Sequence, residues 1–272
     1  MPELPEVETT RRGIEPHVSG RVVRELVVRE PRLRWPVAPE LNERLSGQRV
    51  RAVERRAKYL LVRFDRGTVM IHLGMSGSLR VLADPGPPER HAHWDMLFDG
   101  GGCLRYTDPR RFGSLHWIGG APEAHPLLRA LGPEPLGPDF TGDYLYARSR
   151  GRRVAVKAFI MDSDVVVGVG NIYASEALFR AGIHPARAAG RTGRGRYHRL
   201  AAAVAGVLRE AIAAGGTTLR DFTGSEGHPG YFTRSLAVYG RDGEICPRCT
   251  QRRINVIRLG QRATYFCPGC QT

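Results

Sequence analysis

The stretch CPRCTQRRINVIRLGQRATYFCPGC, residues 246–270, contains two Cys-x-x-Cys pairs separated by 17 residues. Two intervening residues let both thiolates of a tight knuckle face one ion, and two knuckles on neighbouring hairpin arms complete a tetrahedron. The spacing predicts a zinc ribbon in which Cys246, Cys249, Cys267 and Cys270 hold one structural Zn2+. Two disulfides would use the same four residues, but the start MPELPEVETT has neither the basic nor the apolar region of a secretory leader. A fifth cysteine, Cys103 in GGCLRYTD, stands outside this arrangement and reads as a core thiol. Arg248, Arg252, Arg253, Arg258 and Arg262 surround the ligands, and no acidic residue occurs from 246 to 272. Such a hairpin suits a groove or a phosphate backbone.

The same cationic bias runs through the whole chain of 272 residues, whose net charge is +14. Of its 41 basic residues only Lys58 and Lys157 are lysine, leaving 39 arginines. A surplus of this size favours a polyanionic partner, because guanidinium groups neutralise phosphates. Arginine could supply charge at the two lysine positions as well, whereas a compact ammonium that can lose its proton is specific to lysine. With 42% hydrophobic and 8% aromatic residues, the chain can bury a sizeable core and is not a disordered class. Its length favours two domains. No apolar run approaches the 18 or so residues needed to span a bilayer, so a cytoplasmic protein without membrane contact is expected.

Upstream of the ribbon the texture changes twice. Pro2-Glu3-Leu4-Pro5-Glu6 reads as a helix entry, with prolines where no N–H is needed and carboxylates at the positive end of the dipole. From about 21 to 118, short β-rich runs alternate with turn signals: 21–29, 49–64, 68–74, 94–98, 103–107 and 114–118. This spacing predicts an antiparallel sandwich or barrel. The segment GPEPLGPDFTGD (132–143) is too rich in Pro and Gly for an element interior and reads as a linker. Helical patterns follow at 155–161, 173–180 and 196–214, the last stopping at Gly215-Gly216. Gly168-x-Gly170-Asn171 opens one of them, where free N–H groups favour a phosphate.

Three motifs together resemble one family. MPELPEVET at the start, VGVGNIYASEALF at 167–179 and the terminal CxxC…QRATYFCxxC are similar to formamidopyrimidine-DNA glycosylases, bacterial enzymes of oxidised-purine repair. HLGMSG (72–77) and TDPRRFG (107–113) extend the resemblance over essentially the whole chain. The related endonuclease VIII branch usually begins MPEGPE, so Leu4 points to the purine branch. The resemblance implies an α+β multidomain fold. It comprises an N-terminal helix and antiparallel β-sandwich (1–132), a linker (133–150) and a helical helix–two-turns–helix DNA-binding domain (151–240). A zinc-finger β-hairpin (241–272) completes it.

It also implies a bifunctional glycosylase and abasic-site lyase, acting as a monomer on duplex DNA with oxidised bases or abasic sites. The nucleophile would be Pro2, freed by removal of Met1. A secondary amine with a pKa of about 8 is substantially unprotonated at neutral pH, unlike a lysine near about 10.4. Glu3 would move protons, and Glu6 would support the site. Lys58, expected on a strand, matches the lysine that the family places in the catalytic site near the lesion and its phosphates. Lys157 matches a second lysine that supports the site in handling the damaged base. Met75, Arg110 and Phe112 would fill the hole left by an everted nucleotide. His72, His91, Asn171, Tyr239 and Arg262 match phosphate contacts, and the GSEGHPGYF segment within a lesion loop at about 220–233 would cover the everted base. Two positions depart from the pattern: Arg220 stands where some members carry lysine, and Thr250 replaces a common glycine after the second cysteine. Two other readings compete: an oxidised-pyrimidine glycosylase, and a non-catalytic zinc-ribbon protein that would need the arginines but not Pro2.

Overall fold

Residue alternation along the first half of the chain is resolved into two four-stranded antiparallel sheets in a computed structural model describing residues 2–217 and 235–272. The helix α1 (Leu4–Val18) precedes them and buries Leu4, Val7, Ile14 and Val18. One sheet has the order β1-β6-β7-β5, from Val23–Val28, Ala92–Phe98, Cys103–Thr107 and Ser78–Leu82. The other has the order β2-β3-β4-β8, from Val50–Arg56, Tyr59–Phe64, Gly67–His72 and Ser114–Ile118. A single apolar core joins residues of α1 and of both sheets, including Ile14, Leu60, Ile71, Trp94 and Leu115. Trp94 and Tyr106 stack at its centre, 5.2 Å between ring centroids. The architecture is the expected sandwich.

The sequence run 49–64 is two strands rather than one. Arg56 pairs with Tyr59, so Ala57 and Lys58 form a two-residue turn, with Ala57 in the left-handed region at φ 55°. Lys58 therefore sits on a hairpin tip and not within a strand. Beside the sheets, α2 (Leu41–Leu45) is a short helix that packs on β1.

Among the described residues, 2–129 and 214–217 form one compact unit, and 130–213 with 235–272 form a second. In the second, residues 131–141 carry no helix or strand, after which Thr141 caps α3 (Gly142–Ser149) by accepting the Tyr144 N–H at 3.0 Å. The helices α4 (Val156–Met161) and α5 (Asn171–Ala181) are joined by successive turns over 162–170. This is the helix–two-turns–helix element. The long α6 (Arg194–Ala213) buries Leu200, Val204, Val207, Leu208 and Ala211 on one face. The terminal hairpin pairs β9 (Asn255–Leu259) with β10 (Arg262–Phe266) around a two-residue turn at Gly260-Gln261. Among the described residues, no helix is long and apolar enough to cross a membrane.

Candidate active site and nucleic-acid interface

Pro2 is buried and immediately precedes Glu3, the extended N-cap residue of α1. Glu3 and Glu6 are both buried, at 3% and 2% exposure. The Glu3 N–H donates to Glu6 Oε2 at 2.8 Å, the returning half of a capping box. Glu6 Oε1 accepts both the backbone N–H and the hydroxyl of Thr217, each at 2.8 Å. Gly216 (φ 83°) lies against this carboxylate, and a Cβ there would meet Glu6 Oε1 at 3.1 Å. One carboxylate thus fixes the start of α1 against the segment that follows α6.

Arg55 ties the same helix to the Lys58 turn. Its Nε pairs with Glu8 Oε2 at 3.1 Å, and its Nη1 donates to the Ala57 carbonyl at 2.9 Å. Burial opposes ionisation of Glu8, but the hydrogen-bonded guanidinium groups of Arg11 and Arg12 prevail and hold it below the usual carboxylate range. His72, at the end of β4, packs on the Tyr59 ring with centroids 4.9 Å apart and accepts the Gly74 N–H at Nδ1 (3.0 Å). Burial first, and then the charge of Lys58, push His72 down to about 4. The imidazole is neutral at pH 7 and carries its proton on Nε2. Any phosphate contact it makes is therefore a hydrogen bond without a full charge.

Met75 sits partly exposed in the turn between β4 and β5. Arg110 lies over the Phe112 ring, 4.8 Å from its centroid, and Phe112 is 41% exposed. An exposed aromatic beneath a guanidinium is a surface suited to stacked bases. Gly74 makes close approach possible, because a Cβ there would overlap the Phe112 backbone. Arg32 and Arg34 join Arg110, Arg111 and Phe112 around an open concavity of about 480 Å³. His91 takes the left-handed conformation at φ 69°, and its carbonyl accepts the Asp108 N–H at 3.1 Å.

In the second unit, Lys157 is 1% exposed. Its Nζ donates to Asn171 Oδ1 (2.7 Å), Thr264 Oγ1 (2.8 Å) and the Ala263 carbonyl (3.4 Å). It therefore staples α4 to the start of α5 and to β10. Asn171 Nδ2 reaches the Ala263 carbonyl at 3.1 Å and the Tyr239 hydroxyl at 3.4 Å. Lys157 and the exposed Arg262 line a cavity of about 500 Å³ with Met161, Asp162 and Thr264. Glu176, buried on α5, accepts the backbone N–H groups of Ala237, Val238 and Tyr239 at 2.8–3.0 Å. This carboxylate positions Tyr239.

The sulfur atoms of Cys246, Cys249, Cys267 and Cys270 all lie within 4.8 Å of one another. Backbone N–H groups of Gln251 and Arg252 pull the Cys249 thiol down to about 6, whereas burial first and neighbouring sulfurs next push Cys270 up to about 12. Four thiolates at this spacing require a cation between them, so the donor set fits a metal ion. Phe179 of α5, Val238 and Ile254 pack around Cys246 and Cys267 and shield the cluster.

Residues 1–115 match the formamidopyrimidine-DNA glycosylase N-terminal domain, and residues 131–223 match the H2TH domain of the same family. The chain belongs to the formamidopyrimidine-DNA glycosylase family. The formamidopyrimidine-DNA glycosylase of Alkalilimnicola ehrlichii is 64% identical, with all of both chains covered. A Lactococcus lactis mutant enzyme of the family, solved in complex with Fapy-dG-containing DNA, superposes with a TM-score of 0.92 at 33% identity over 100% of each chain. The Lactococcus lactis enzyme bound to abasic-site DNA gives 0.91 at 34%, over 99% of each chain.

Two features of the family pattern, Arg220 and the GSEGHPGYF segment, fall outside the described residues. Among those described, Asp108, Glu176 and Thr217 carry no signal in the sequence pattern. Asp108 and Glu176 accept from backbone N–H groups, Asp108 from hydroxyls as well, and Thr217 donates to a carboxylate 211 residues away, so spacing along the chain does not expose them.

Proposed function

We propose that the chain is a DNA-repair enzyme that excises oxidised purines from duplex DNA and then cleaves the strand at the resulting abasic site. The observation that carries this reading is Pro2 beside the two buried carboxylates Glu3 and Glu6 at the start of α1. With Met1 removed, the Pro2 amine attacks C1′ of the damaged nucleotide. The bond from C1′ to the base breaks, and the base leaves with the electron pair and takes up a proton. Ring opening gives an iminium between Pro2 and C1′, an electron sink. Loss of a C2′ proton then expels the 3′ phosphate, and a second elimination expels the 5′ phosphate. Hydrolysis of the remaining iminium releases the sugar fragment and restores the amine. Glu3 carries the protons of ring opening, and Glu6 fixes its backbone.

Met75, Arg110 and Phe112 enter the gap left by the everted nucleotide, with Arg110 pairing to the orphaned base. Lys58 acts in the catalytic site beside the lesion and its phosphates, Lys157 supports the handling of the damaged base, and His72, His91, Asn171, Tyr239 and Arg262 hold phosphates. The four cysteines hold Zn2+. A tetrahedron with bonds of about 2.3 Å has sulfur–sulfur edges of about 3.8 Å, and the Cys246–Cys270 and Cys249–Cys267 separations are 3.9 and 3.7 Å. When bound, the ion supplies folding energy and no chemistry of the reaction. The same reading makes the protein a cytoplasmic monomer acting on the nucleoid.

Borohydride reduction during incubation with 8-oxoguanine duplex tests this directly. A covalent adduct is expected, and it should vanish in Pro2→Gly. Failure to trap on either 8-oxoguanine or thymine glycol DNA, with binding intact, would leave only the non-catalytic zinc-ribbon reading. An adduct on thymine glycol alone would favour the pyrimidine branch. An adduct retained in Pro2→Gly and lost in Lys58→Ala would make lysine the nucleophile.

A further inference from the structure

Asp108 is fully buried, at 0% exposure, and its carboxylate lies between the two loops that carry Met75, Arg110 and Phe112. Oδ1 accepts the Ser76 hydroxyl at 2.7 Å and the Arg110 N–H at 3.2 Å. Oδ2 accepts the Tyr106 hydroxyl at 3.0 Å and the Gly113 N–H at 2.9 Å. Among the described residues, none of these four donors is a cationic side chain, so the group is not an ion-pair partner. Its donors come instead from the residue after Met75 and from both sides of Phe112.

The rest of the residue is tethered too. The Asp108 carbonyl accepts the Arg111 N–H at 3.2 Å and lies 2.6 Å from His93 Nε2. Arg111 is forced into the left-handed region, φ 54°, as the loop closes around the carboxylate. Around this knot the packing leaves no slack. A Cβ at Gly113 or Gly77 would collide with the Tyr106 hydroxyl, and one at Gly74 would collide with the Phe112 backbone. Burial keeps the Tyr106 phenol protonated well above its ordinary range, so it serves Asp108 as a donor.

We infer that Asp108 is a positioning residue that fuses the 74–77 and 108–113 loops into one rigid wedge, and so governs duplex penetration and opposite-base choice without touching DNA. The inference rests on the function proposed above. Its physical basis is that inserted side chains must meet the vacated stack with sub-ångström accuracy, and a displacement of about 1 Å can cost about a hundredfold in rate. Both loops hang from the same carboxylate: Oδ1 holds Ser76 and Arg110, and Oδ2 holds Gly113. Loosening Oδ1, which holds Ser76 and Arg110 together, lets Met75 move independently of Arg110 and Phe112.

Ser76→Ala removes only the link between the loops, and Asp108→Asn turns one acceptor into a donor facing donors. Three rates should be compared with wild type: 8-oxoguanine excision opposite cytosine, the same opposite adenine, and β-elimination at an abasic site in single-stranded DNA. Both variants should lose at least about tenfold on duplex, with the cytosine-to-adenine ratio moving toward one. Single-strand elimination, which needs no wedge, should stay within about twofold. Unchanged duplex rates, or parallel losses on both substrates, would overturn the positioning role.

Wild-type protein inactive on the 8-oxoguanine duplex would overturn the proposed function instead. The wedge would still be read from 2-aminopurine placed opposite an abasic analogue in bound, uncleaved duplex. Its fluorescence should rise in wild type and rise less in Ser76→Ala; equal rises would refute the inference.

Discussion

Glu6 and Thr217, 211 residues apart, are joined by two hydrogen bonds to a single carboxylate oxygen, each 2.8 Å long. The other oxygen of Glu6 takes the Glu3 N–H. Three donors thus converge on one buried acid beside Pro2. Glu6→Gln must turn an amide N–H toward at least one of them, and an orphaned buried donor costs about 1–3 kcal/mol. Urea denaturation should show a loss of that size, with borohydride trapping reduced because Glu3 loses its anchor. A wild-type midpoint with normal trapping would remove Glu6 from the site's support.

Thr250 follows the second cysteine of the finger with φ 54°, and its N–H closes the knuckle on the Cys246 carbonyl at 3.0 Å. A β-branched residue there is strained by roughly 1–3 kcal/mol, whereas glycine adopts the conformation freely. Thr250→Gly should therefore stabilise the knuckle. The expected outcome is slower loss of metal to a chelator, by about fivefold for each ~1 kcal/mol. Faster loss would show that the threonine side chain contributes more than its backbone costs.

How much of this was readable from sequence depends on how local each feature is. Two cysteine pairs announce themselves because each knuckle is four residues long. Strands β7 and β8 follow their alternation to the residue. The break at Ala57-Lys58 was hidden because RRAKYLL holds no Gly, Pro, Asn or Asp, and left-handed Ala57 is imposed by the pairing of β2 with β3. Helix α3 was masked by the Pro- and Gly-rich stretch before it, although Thr141 was a legible cap. Asp108 and Glu176 were silent for a different reason: their partners are main-chain N–H groups, which every residue but proline possesses, joined at Asp108 by the Ser76 and Tyr106 hydroxyls.

The neutral state of His72 makes a pH prediction with a definite sign. Its folded pKa is about 4, against about 6.5 for an unfolded histidine. Between these values the unfolded chain binds a proton that the folded chain refuses. Stability is full above about pH 6.5 and falls as pH drops toward 4. His116, His125 and His184 are shifted the same way by burial and add to the slope. His72→Gln should flatten the profile by about 1–2 kcal/mol between pH 7 and 5. Parallel urea profiles for the two proteins would contradict a buried neutral imidazole. The same variant should leave the salt dependence of DNA binding unchanged at pH 7.5, because no phosphate is neutralised by it.

Thiol chemistry separates the finger from the core. Cys103 is 1% exposed, and burial pushes its thiol up to about 11, so it offers almost no thiolate at neutral pH. The other four cysteines converge on one position and are unreactive while a metal ion occupies it. Native protein should therefore show no rapidly reacting thiol toward a disulfide reagent at pH 7.5. Adding a strong chelator should expose four thiols and release one zinc ion per chain, with duplex binding lost in step because the arginine hairpin loses its frame. The fifth thiol should appear only when the sandwich is unfolded in denaturant. Five thiols on chelation alone would mean that the β-sheet core opens with the finger, and fast reaction before chelation would mean that the cysteines do not hold metal.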